Sequence, residues 1–113
     1  MPANFLYMLR FDVKPEKARQ FADTAEQVMK IHKTHPKGLG ENLQFYTSFI
    51  GNGEVAFVLV PIDNLGAIDS WTHTPDLLIE ALSDGPGQDL LNRWADSISS
   101  WESRIVRYSP EGH

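Results

Sequence analysis

The chain predicts a single α+β domain with its elements in the order β-α-β-β-α-β. Three observations carry this. Strand-like stretches fall at 5–13, 43–50, 55–61 and 101–108, apolar residues recur at helical spacing in between, and a hairpin signal stands at Gly51-Asn52-Gly53-Glu54. At 113 residues there is room for one hydrophobic core.

The first strand puts Phe5, Tyr7, Leu9, Phe11 and Val13 on one face and Leu6, Met8, Arg10 and Asp12 on the other. Lys14-Pro15-Glu16 then opens a helix, since proline and acid both suit a first turn. Ala18, Phe21, Ala22, Ala25, Val28 and Met29 supply its apolar stripe, and His35-Pro36-Lys37-Gly38 ends it. The second strand sets Leu43, Phe45, Thr47 and Phe49 against Gln44, Tyr46, Ser48 and Ile50. The third is apolar on both faces, which suits a central strand.

The segment that follows is helical in pieces. Asp63 or Asn64 can cap a short helix running to Trp71, and Thr74 a second, with Pro75 at its start and Asp84-Gly85 at its close. Pro86 restarts a third, with Leu90, Leu91, Trp94, Ala95 and Ile98 as its buried stripe. A last strand leads to a tail, 109–113, expected to fray.

Two β-α-β units joined by a hairpin make a four-stranded antiparallel sheet with both helices on one face. The other face is then expected to carry some combination of Leu6, Met8, Tyr46, Ile50, Ala56, Val58 and Val60. That is more apolar surface than a monomer normally shows to water, so a face-to-face homodimer is expected.

Composition narrows the functional classes. The net charge of −5 and scattered basic residues argue against a nucleic-acid partner. The absence of cysteine removes disulfides, thiolate nucleophiles and Cys-based metal sites. The first residues lack a secretory signal pattern, and the longest apolar run is too short to span a bilayer, so a cytoplasmic protein without a membrane partner is expected. No phosphate-binding loop, dinucleotide fingerprint, Gly-x-Ser-x-Gly or His-Glu-x-x-His occurs.

Leu9-Arg10-Phe11-Asp12-Val13-Lys14-Pro15-Glu16-Lys17 resembles the strand-to-helix entry of the dimeric α/β-barrel superfamily, whose subunits are ferredoxin-like. Phe57-Val58-Leu59-Val60 and the stretch from Ala67 through Trp71-Thr72-His73-Thr74-Pro75 are similar to its third strand and following helix. Arg104-Ile105-Val106-Arg107-Tyr108-Ser109-Pro110-Glu111 resembles its closing strand. The superfamily includes antibiotic-biosynthesis-type monooxygenases, haem-degrading enzymes and NIPSNAP-like proteins. The resemblance implies a paired barrel with a cavity against the sheet, where Trp71 and His73 could meet a ligand. Of the haem-degrading positions, the helix tryptophan matches Trp71, but Leu9 and Ala81 stand where an asparagine and a histidine belong.

The remaining candidates are polar groups in apolar settings. His32 and His35 form a His-x-x-His pair with no third ligand nearby, so a structural histidine is favoured over a metal site. Arg10 and Arg104 could hold an anion, or salt-bridge Asp12 and Glu102, and the second reading is favoured. Tyr46 joins them as a possible donor. The expected function is a cofactor-free, monooxygenase-like enzyme or small-molecule binder, its ligand a small aromatic or polyketide-like molecule held between the sheet and its helices or between paired sheets. A non-catalytic dimerisation or regulatory domain with a packed sheet–sheet core is the alternative.

Overall fold

A computed structural model describes residues 3–48 and 54–109. The four strands are β1 (Phe5–Val13), β2 (Gln44–Thr47), β3 (Glu54–Ile62) and β4 (Ile98–Arg107). They form one antiparallel sheet in the order β2-β3-β1-β4. Three α-helices, α1 (Ala18–Thr34), α2 (Thr74–Leu82) and α3 (Asp84–Asp96), supply the second layer. Short 3-10 turns precede α1 (Pro15–Lys17) and α2 (Leu65–Ser70). The predicted fold class is the observed one.

The core lies between sheet and helices. Phe11 and Val13 of β1 and Ala56, Val58, Val60 and Ile62 of β3 meet Phe21, Ala25, Val28 and Met29 of α1 and Leu90 and Trp94 of α3. Phe21 stacks on Trp94 with ring centres 5.0 Å apart, and Phe11 meets the same indole edge-on at 5.2 Å. Rings packed this closely bury large apolar areas, so Trp94→Ala would cost about 3–5 kcal/mol.

Several expectations are corrected. Ala56, Val58 and Val60 do not lie on the uncovered face but point at the helices, and Val55, Phe57, Leu59 and Pro61 take the uncovered side. The pairing of Gln44 with Leu59 through Thr47 with Ala56 sets even-numbered β2 residues opposite odd-numbered β3 residues. The sequence offered no such parity, because β3 is apolar on both faces.

β4 starts three residues earlier than expected, so Ile98 belongs to the strand and not to the α3 stripe. Ala95 and Ala22 are exposed. Thr74 begins α2 without capping it, because its hydroxyl is bound elsewhere. The break between α2 and α3 falls at Ser83 (φ 75°, ψ 170°), a conformation costly for any residue but glycine. Phe49, Ile50, the Gly51–Gly53 turn and the tail beyond Ser109 lie outside the described residues.

Candidate functional site

The antiparallel registers line the uncovered face in rows running across the sheet. Tyr46 of β2, Phe57 of β3, Arg10 of β1 and Glu102 of β4 form one row; Gln44, Leu59, Met8 and Arg104 form the next. Pro61, Leu6 and Val106 continue the apolar end, and Val55, Asp12 and Ser100 close the polar end. Side chains directly opposite across antiparallel strands stand about 4.5–5.5 Å apart at Cβ, so each row is a contiguous surface. Among the described residues no helix covers this side.

Arg10 is held in place. Its Nη2 donates to Asp12 Oδ1 at 3.1 Å, and Ser100 Oγ donates to the other carboxylate oxygen at 2.8 Å. Those bonds, from Ser100 first and Arg10 second, keep the Asp12 carboxyl below its ordinary range. A guanidinium has five N–H groups, and this contact uses one. Arg10 is therefore oriented by its neighbour and still has donors to offer. Tyr46, 52% exposed, sets its hydroxyl 3.5 Å from Gln44 Oε1, a weak hydrogen bond at the limit of the range. The expected pairing of Arg10 with Asp12 is observed. The expected pairing of Arg104 with Glu102 is not: among the described residues neither has an ion pair or a side-chain hydrogen bond.

The other candidates sit on the opposite side of the sheet. Trp71 is half-buried, with its ring 5.0 Å from that of Tyr7 and tilted 58° to it. Burial raises the Tyr7 hydroxyl above its usual pKa. His32 is buried, its Nε2 2.9 Å from Thr74 Oγ1 and its Nδ1 without a partner among the described residues. Burial pushes its pKa down to about 4, so the ring is neutral at ordinary pH. It ties the end of α1 to the start of α2, and Gly38 packs against the backbone carbonyl of this same residue, where an added Cβ would come within 2.3 Å of the oxygen. His35 turns instead toward Glu80, 4.0 Å away. Among the described residues no three His, Asp or Glu side chains gather as a metal set. His73 is exposed and only precedes α2.

The six predicted site residues thus divide, with Arg10, Tyr46 and Arg104 on the uncovered face and Trp71, His73 and His32 behind the sheet. Phe57, Leu59 and Glu102 complete the face. The first two were missed as a surface because strand phase, not residue type, decides where they point. The core packs between sheet and helices, and two grooves flank the sheet. One groove of about 360 Å³ lies between α1 and the β2 edge, bordered by Phe21, Ala22, Phe45 and Thr47. Another of about 320 Å³ lies at the end of the sheet by Phe5, Leu6, Pro61 and Val106.

No protein-family model matches the chain, and no curated protein sequence matches it. Solved structures do share the fold. A NIPSNAP family protein from Agrobacterium tumefaciens superposes with a TM-score of 0.68 at 16% identity, covering 99% of this chain and 91% of that one. An uncharacterized NIPSNAP-like domain protein from Burkholderia xenovorans gives 0.66 at 16% identity, covering 100% and 91%. A protein described as an antibiotic biosynthesis monooxygenase from Bacteroides thetaiotaomicron gives 0.55 at 12%, covering 96% and 90%. The ferredoxin-like architecture expected from the sequence is therefore the one these proteins share. At such identities the likeness speaks for the fold alone.

Proposed function

We propose that the chain works as a homodimer that binds a small planar anion over the uncovered sheet face, with Arg10 and Tyr46 as its polar contacts. The observation that carries this is the row Tyr46–Phe57–Arg10: a phenol and an oriented guanidinium flank an aromatic floor, with Met8 and Leu59 beside it. An apolar surface with a few placed donors is what a ligand site needs, and a second sheet laid over it would exclude water. The ligand class that fits is an aromatic or polyketide-like acid or enolate.

The finer reading is a cofactor-free, monooxygenase-like reaction, which the likeness to the Bacteroides protein supports in fold alone. Dioxygen would be the oxidant and the substrate anion the source of electrons, with one oxygen atom entering the product and the other leaving as water. Arg10 and Tyr46 would stabilise the anion from which electrons leave. Trp71, His73 and His32 have no part in this reading, since the sheet separates them from the face.

A thermal-shift panel of aromatic acids and hydroxylated polycyclic compounds tests the binding. A ligand present at 100 times its Kd should stabilise the protein by about 2.7 kcal/mol, and Arg10→Gln should remove that shift. If no compound shifts the wild-type protein, the face is a packed dimer core and the non-catalytic reading replaces this one. Oxygen uptake with the compounds that bind then separates enzyme from binder.

A further inference from the structure

We propose that Glu102 is the general base of the uncovered face, taking a proton from a planar 1,3-dicarbonyl compound bound beside Arg10. This rests on the anion-binding reading above and adds the group that makes the anion. A polyketide-like 1,3-dicarbonyl is mostly neutral in water near pH 7, whereas the charge that Arg10 and Tyr46 are placed to hold belongs to its enolate. A proton acceptor must therefore stand within reach of the bound compound. Among the described residues the strands put two carboxylates on this face, Asp12 and Glu102. Asp12 is occupied at both oxygens, by Ser100 Oγ at 2.8 Å and Arg10 Nη2 at 3.1 Å, and those bonds hold its carboxyl below the ordinary range. A carboxylate stabilised in its charged form is a poor proton acceptor. Glu102 is exposed and has no ion pair or side-chain hydrogen bond among the described residues, so both of its oxygens are open.

Strand register puts that open carboxylate where the step needs it. Glu102 stands directly opposite Arg10, and Arg10 directly opposite Phe57, with Tyr46 on the far side of the ring. Neighbouring strands lie about 4.8 Å apart, so the row from Phe57 to Glu102 spans about 10 Å. An aryl ring laid over Phe57 then brings a dicarbonyl over Arg10 and the carbon between its carbonyls toward Glu102. The C–H bond breaks, its proton passes to a Glu102 carboxylate oxygen, and its electron pair enters the enolate. The enolate oxygens meet the spare N–H groups of Arg10, and in the reverse step Glu102 returns the proton. The charged groups around Glu102 are Arg10 and Asp12 on β1 and Arg104 two residues along β4. Arg104 is diagonal to Arg10, so two guanidinium groups flank the place where negative charge develops.

Deuterium exchange tests the step without requiring turnover. Ethyl benzoylacetate, an aryl 3-oxo ester, exchanges the hydrogens between its carbonyls in heavy water, and proton NMR reads the rate with and without protein. The wild-type protein should bind the ester in a thermal-shift assay and speed its exchange by about 100-fold, a typical effect of one placed base. Glu102→Gln, which keeps the shape and removes the base, should still bind and should return exchange to the free rate. Arg10→Gln should lose both binding and exchange, with circular dichroism confirming that both variants are folded. The base assignment is overturned if the wild-type protein binds the ester without speeding exchange, or if Glu102→Gln exchanges at the wild-type rate. It is overturned equally if Glu102→Gln halves the sedimenting mass, which would make Glu102 an assembly contact. Failure of the ester to bind while other compounds of the panel do overturns the 1,3-dicarbonyl class. If no compound binds, the anion-binding reading falls and the base assignment falls with it.

Discussion

Burying His32 between the end of α1 and the first turn of α2 gives one residue control over acid stability. Its folded pKa, about 4, lies below the unfolded value of 6.5, so the unfolded chain binds the proton more readily. Stability is then full above about pH 6.5 and is lost as the pH falls through that window toward 4, by roughly 3 kcal/mol in all. His32→Leu should flatten this slope in chemical denaturation followed from pH 7 to 4; an unchanged slope would assign the loss to other groups. Gly38 is bound to the same contact. Gly38→Ala would drive a methyl group into backbone, and a loss of about 1–3 kcal/mol is expected in urea melts.

At the scale of elements, the α2–α3 junction carries strain that can be relieved. Ser83 has a positive φ with extended ψ, where only glycine sits without cost. Ser83→Gly should therefore stabilise the protein by about 1 kcal/mol in thermal or urea unfolding, although glycine usually destabilises. The helical break itself was legible from Asp84-Gly85-Pro86, but its residue was not, since no propensity singles out Ser83. The role of Thr74 shifted for a comparable reason. Its position before Pro75 marks a helix start, yet its hydroxyl serves His32, 42 residues away in sequence. Local pattern reports local bonds, and this one is tertiary.

At the scale of the whole molecule, the uncovered face should decide assembly as well as binding. Leu59→Lys places a charge in the middle of it and should abolish any dimer that buries the face, with the sedimenting mass halved and the fold retained by circular dichroism. Tyr46→Phe, which leaves the apolar surface in place, should keep the mass and weaken an anionic ligand by about tenfold, the worth of one hydrogen bond to a charged partner. A variant set in which mass and binding fell together at both positions would argue that Tyr46 belongs to packing alone.

The order of elements, the fold class, the apolar character of a second sheet face and the Arg10–Asp12 pair were all determined by the sequence itself. Each follows from alternation, helical spacing or short range along the chain. Which side of the sheet holds Phe57 and Leu59 was decided only by tertiary structure, because a strand apolar on both faces has no phase to read. The pairing of Tyr46 with Phe57 and of Arg10 with Glu102 brings together residues up to 92 positions apart, and only the packed sheet sets that register. For the same reason the side of the sheet on which each of the six candidate residues lies could not be read along the chain, whereas the folded sheet stands between Arg10, Tyr46 and Arg104 on one side and Trp71, His73 and His32 on the other.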